Sequence, residues 1–139
     1  MTKHHVLATL RADGSPRVSG TEVQFHGPDL VAGGMPGARK GRDLRRDGRY
    51  ALHSNPGDGS MDGGDAKVSG TAVEVVDPAV LLEYAAAISR PQEPGAPLDF
   101  ELFRFLVTDV VRTSVHPDGD RLLIESWQPG VGLRTAERR

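Results

Sequence analysis

The sequence predicts a mainly β domain with minor α content: an antiparallel barrel of six to seven strands with two short helices. Three observations predict it. Short runs of apolar and β-branched residues are punctuated by tight-turn signals, Asp13-Gly14, Gly27-Pro28-Asp29 and Pro117-Asp118-Gly119. Residues 17–26 alternate with period two, yet neither face is cleanly apolar. That fits a barrel strand with one side in a core and the other at a site or subunit contact. Only two stretches read as helical: a basic one over 37–47 and an apolar one that starts at Asp77-Pro78.

At 139 residues the chain is read as a single domain, 1–139, ordered over about 5–127, with an exposed and partly disordered tail over 128–139. A hydrophobic fraction of 37% with one Trp supports a small core, so burial in a homo-oligomer would help. The formal net charge of −2 argues against a general nucleic-acid binder. Cysteine is absent, which excludes disulfides, zinc–thiolate centres and cysteine nucleophiles. No apolar run approaches the roughly 20 residues of a membrane span, and Val6-Leu7-Ala8 is too short for a signal-peptide core. A cytoplasmic protein without a membrane partner is the expectation.

Taken in order, residues 5–11 form a strand, and Asp-Gly supplies the positive φ of the reversal after it. Residues 17–26 and 30–33 complete a meander. Residues 49–54 form the fourth strand. The loop over 55–65 holds Asp58, Asp62 and Asp65, but their spacing is not that of a calcium loop and no Glu closes it. Residues 67–76 are the fifth strand, where Ser69, Gly70 and Ala72 would permit close approach by a backbone or a flat ligand. Asp77-Pro78 is an N-cap with proline at N1; Leu81, Tyr84, Ala85 and Ile88 then recur at helical spacing and would pack on the barrel until Arg90-Pro91 stops the helix. Residues 103–115 and 122–127 form the last hairpin.

The chemistry concentrates over 33–49. A Gly- and Pro-rich turn opens into the basic helix, and Arg39, Lys40, Arg42, Arg45, Arg46 and Arg49 fall within eleven residues. A helix N-terminus has unpaired N–H groups and a positive dipole end, so this is a plausible anion site. Pro36 suits the helix start and Gly48 its C′ position. Gly37, Gly41, Leu44 and Gly48 share a slim face that can lie close on a sheet. Asp43 can pair with Arg39 or Arg46. For such a helix taken alone, the competing explanation is a solvated charged face with internal ion pairs, each worth about 0.3–0.5 kcal/mol.

Three motifs occur in order: Leu7-Ala8-Thr9-Leu10-Arg11-Ala12-Asp13-Gly14-Ser15-Pro16, then Arg39-Lys40-Gly41-Arg42-Asp43-Leu44-Arg45-Arg46-Asp47-Gly48-Arg49, then Lys67-Val68-Ser69-Gly70-Thr71-Ala72. Over about residues 5–127 the chain resembles the pyridoxamine 5′-phosphate oxidase-like family, split β-barrels that bind FMN or the deazaflavin F420. The resemblance implies a six-stranded split barrel and a homodimer with two cofactor sites at its interface. It implies that the turn and its basic residues hold the cofactor phosphate, with Arg39 and Lys40 the best candidates and Gly37 in the turn. Ser19 and Thr21, and after them Val23, are candidates beside the ring. Trp127 comes late, where the partner subunit often supplies part of the site; a lone Trp is as often a core or interface anchor. Met35-Pro36 stands where the family often carries Ser or Thr, and Asp43 where it often carries Asn. A carboxylate beside a phosphate is unfavourable unless an arginine neutralises it.

The implied function is a flavin- or F420-dependent oxidoreductase that transfers hydride between its cofactor and a small organic substrate. The arginine-rich run favours F420, whose acidic tail the extra arginines could meet. The chemistry belongs to the cofactor, so no Ser–His–Asp set is required and no catalytic residue is assigned. His4, His5, His26, His53 and His116 read as structural or solvated, with His53 a proton donor only if it lines the pocket. They lack the spacing of a simple zinc site, and no metal is expected. The alternative is a non-catalytic flavin-, F420- or haem-binding protein on the same barrel. A nucleic-acid module using the arginine helix is a third class, against which the net charge speaks.

Overall fold

Six antiparallel strands close into a barrel, and two more continue the sheet outside it. This computed structural model describes residues 4–55, 61–88, 95 and 97–139. Asp58, Arg90 and Pro91, with residues 92–94 and 96 after them, lie outside the described residues. The elements are β1 (His4–Leu10), β2 (Pro16–His26), β3 (Asp29–Gly34), α1 (Arg39–Arg46), β4 (Arg49–Ser54), β5 (Asp65–Glu74), α2 (Pro78–Ala87), β6 (Glu101–Val115), β7 (Leu122–Gln128) and β8 (Gly132–Arg138). The sheet runs β3-β2-β1-β4-β5-β6-β7-β8, and a β3–β6 pairing closes the barrel.

The long strand β6 makes this topology work. Its first half pairs with β3, from Leu30↔Phe105 to Gly34↔Glu101. Its second half carries β7, from Val110↔Trp127 to Val115↔Leu122. The tail, expected to be loose, instead forms β8, which pairs along the whole of β7. Backbone pairing with an exposed strand needs no apolar pattern, so composition does not reveal it.

Period-two alternation sends Leu7, Val23, Leu52, Phe103 and Phe105 to the barrel interior, where Leu44 of α1 joins them. A second cluster lies outside the barrel: Tyr84 and Ala85 of α2 pack on Val31, Phe100 and Leu102. Strand β3 is therefore covered on both sides, which is why neighbouring Val31 and Ala32 are both buried. The N-cap of α2 is as expected, with Asp77 accepting from the Ala79 N–H at 3.0 Å.

The small residues of β5 admit backbone, as their size allows. A side chain on Gly70 would collide with the Leu106 carbonyl at a β-bulge between Ser69 and Gly70. Gly48 passes so close to β5 that a Cβ there would lie 2.6 Å from the Ala72 carbonyl oxygen, while its own carbonyl accepts the Ala72 N–H at 2.7 Å.

Candidate functional site

The pairing of β2 with β3 covers only Val23–Ala32 to His26–Asp29. Beyond it the two strands part; α1 packs against β1 and β5 at the mouth of the barrel, burying Gly41, Asp43 and Leu44, and sends Lys40 towards β2. The helix is shorter than the expected 37–47. Gly37 adopts φ +76°, a left-handed conformation that cannot belong to the helix, and Ala38 is the N-cap. No side chain caps this N-terminus, so its first-turn N–H groups stay available. At the other end, Asp47 is extended rather than followed by a left-handed cap, so Gly48 serves close packing and not helix termination.

The six basic residues divide into two groups. Arg45 pairs with Glu74 at 2.7 Å and Glu101 at 2.8 Å, Arg46 with Asp43 at 3.5 Å, and Arg49 with Asp47 at 2.6 Å. Arg39, Lys40 and Arg42 have no carboxylate partner among the described residues, and all three sit in the first turn of α1. Arg39 and Arg42 are exposed. The Lys40 ammonium reaches into the gap, donating to the Gly20 carbonyl at 3.3 Å and to Thr21 Oγ1 at 3.4 Å. Burial lowers its pKa, because a half-buried ammonium loses hydration.

Asp43 does not face this cluster. The residue is 1% exposed, its carboxylate turned into the barrel wall and accepting from Thr9 Oγ1 and Arg17 Nε, each at 2.7 Å. Burial would raise its pKa, but the Thr9 and Arg17 hydrogen bonds and the charges of Arg17 and Arg46 outweigh that and hold it low. The ion pair with Arg17 is among those missed in the sequence. Its only trace there is Thr9 alternating with Leu7 on the inner face of β1.

Of the expected site residues, Lys40 and Thr21 come together, Arg39 adjoins Lys40 in the first turn of α1, and Gly37 lies in the turn before it. Thr21 is buried and Ser19 half-buried on the inner side of β2. The Gly37 N–H is already engaged, by Glu101 Oε1 at 2.9 Å. Trp127 is not brought near this cluster within one chain. It is 38% exposed on β7 and borders a separate cleft of about 250 Å³ with Asp109, Gln128 and Arg134.

Gly33 and Gly34 divide two spaces. On one side Thr21, Lys40 and Glu101 line a cavity of about 10 Å³ beneath α1. On the other lies a cleft of about 750 Å³ between Glu22 and Gln24 of β2, the turn residues Met35 and Pro36, and Tyr84 and Phe100. Its size is that of small-molecule sites. No histidine lines either space: His26 packs edge-on against Tyr84, His53 Nδ1 lies 2.6 Å from the Ser54 carbonyl oxygen, and His116 meets Arg121. The described grouping nearest to a metal site, His116, Asp118 and Asp120, is built around the Arg121 guanidinium, a cation already in place. No described helix is long and apolar enough to cross a membrane.

No family model matches the chain, and no curated protein matches it. Solved structures do. A pyridoxamine 5′-phosphate oxidase-related, FMN-binding protein from Nostoc punctiforme superposes with a TM-score of 0.72 at 9% identity, over 99% of this chain and 87% of that one. PhzG from Burkholderia lata, in complex with tetrahydrophenazine-1-carboxylic acid, gives 0.65 at 18% identity, over 99% and 82%. An F420 reductase gives 0.57 at 22% identity, over 77% and 87%. The closed six-stranded barrel, its two outer strands and its two helices give this chain the fold of the pyridoxamine 5′-phosphate oxidase-like split barrels.

Proposed function

We propose that the chain is a flavin- or F420-dependent oxidoreductase, a cytoplasmic homodimer that passes hydride between FMN or F420 and a small organic substrate. One observation carries this reading. Three cations without an ion pair among the described residues, Arg39, Lys40 and Arg42, stand in the first turn of a helix whose N-terminus no described side chain caps, where β2 and β3 part. A phosphate suits that environment: guanidinium groups bind it through paired hydrogen bonds, Lys40 as a point charge, and the first-turn N–H groups complete the shell.

In this reading the 750 Å³ cleft beyond Gly33 and Gly34 takes the ring and substrate. The bound cofactor supplies hydride transfer. The chain's own part is to anchor the phosphate, to face the ring with Glu22, Gln24 and the backbone of β2, and to wall the cleft with Pro36, Tyr84 and Phe100; Thr21 and Ser19, on the inner side of β2, stay on the Lys40 side of Gly33 and Gly34. Trp127 serves the site of the partner subunit. Between the two cofactors the geometry is even-handed. Arg45, Arg46 and Arg49 are engaged by Glu74 and Glu101, Asp43 and Asp47, so they no longer favour the acidic tail of F420.

The deciding experiment is a fluorescence titration of the purified protein with FMN and, separately, with F420. Sub-micromolar binding of one is expected, and Arg39→Ala with Lys40→Ala should weaken it by about 30-fold or more, as loss of two charge-assisted contacts implies. Unchanged affinity in the double variant removes the phosphate assignment. Tight binding without turnover on any substrate tried selects the non-catalytic carrier instead.

A further inference from the structure

Glu101 opens β6 and sends its side chain beneath α1 into the barrel mouth. It touches both the turn before α1 and the helix itself. Oε1 accepts the Gly37 N–H at 2.9 Å and the Arg45 guanidinium at 2.8 Å. Oε2 is buried, with no hydrogen-bond partner among the described residues, against the Cα of Gly41. A Cβ at position 41 would stand 2.5 Å from Oε2, so the glycine in the first turn of α1 is what lets the carboxylate pass under the helix.

The contacts have two consequences. Gly37 holds φ +76°, and its N–H bond to Glu101 ties that turn to β6, 64 residues away. Arg45 is neutralised by Glu101 and Glu74, leaving Arg39, Lys40 and Arg42 as the cations of this segment without an ion pair among the described residues. We propose that Glu101 is a positioning residue that holds the 35–38 turn and the first turn of α1 in their phosphate-binding arrangement without touching the ligand. The inference rests on the reading of this turn as the phosphate site. Burial favours the neutral acid, but the Gly37 N–H, Arg45 and the charge of Arg42 outweigh it and keep Glu101 ionised below the ordinary glutamate range.

The test compares wild type, Glu101→Ala, Glu101→Gln and Gly41→Ala. Each is titrated with FMN against riboflavin, and with F420 against its phosphate-free chromophore. Glu101→Ala should lose about tenfold or more in affinity for the phosphorylated member and almost none for the other. Glu101→Gln keeps an acceptor for the Gly37 N–H and should recover most of the loss. Gly41→Ala, which displaces the carboxylate, should resemble Glu101→Ala. A Glu101→Ala protein with undiminished preference for the phosphorylated ligand overturns the proposal. An arm independent of cofactor follows the Gly37 amide resonance with pH. In wild type it should move with a carboxyl titrating below the ordinary range, and in Glu101→Gln it should not. A Gly37 resonance indifferent to that substitution also overturns the proposal, even if wild type binds neither cofactor and only the functional reading fails.

Discussion

Asp43 shows how far one residue's role depends on its direction. At the sequence level a carboxylate amid arginines looks like a liability beside a phosphate. In the fold it points the other way, and Thr9, Arg17 and Arg46 satisfy it. A buried pair is a weak source of net stability, yet breaking one leaves an uncompensated charge. Arg17→Ala should therefore cost about 3 kcal/mol in denaturant unfolding. Asp43→Asn, which keeps the shape and loses the charge, should cost about 1–3 kcal/mol. The folded pKa of Asp43 is depressed, so its carboxylate contributes fully above the unfolded value of 3.8. That contribution is lost as pH falls through the lower folded value. Acid unfolding followed by circular dichroism should show this loss in wild type and not in Asp43→Asn.

At the scale of elements, the glycines of α1 and β5 are set by neighbours rather than by turns. Gly48→Ala, in the link between α1 and β4, drives a methyl group into the Ala72 carbonyl and should destabilise by roughly 1–3 kcal/mol. Asp77→Ala removes the cap of α2 and should cost about 1 kcal/mol. The β7–β8 pair lies outside the closed barrel. Deleting residues 130–139 should leave a cooperative thermal transition; loss of the transition would mean that β8 is part of the folding unit.

At the scale of the whole molecule, the barrel places Trp127 apart from Lys40, and a shared site then needs a second subunit. Exposed apolar side chains, including Val18, Phe25, Trp127 and Leu133, are the material for such a contact. Sedimentation at micromolar concentration should report a dimer, and bound cofactor should quench the single tryptophan. A monomer with undisturbed tryptophan emission would remove the interface site.

Strand positions, the cap of α2, its apolar face and the concentration of cations after the third strand were all legible in the residues. Each is a local pattern: alternation, turn chemistry, helical spacing. The sequence-level helix over 37–47 failed at both ends for one reason: a left-handed Gly37 and a tightly packed Gly48 are choices made by distant partners. The same holds for the site. That six cations would cluster was plain from their spacing. Which three have no ion pair among the described residues was decided by Glu74 and Glu101, Asp43 and Asp47, three of which arrive from other elements or turn inward on the barrel. Arg17 lies 26 residues from Asp43 and Gly37 lies 64 from Glu101, separations at which periodicity carries no information. Local chemistry therefore determined that an anion site could exist on this chain, while closure of the barrel alone determined which charges it keeps.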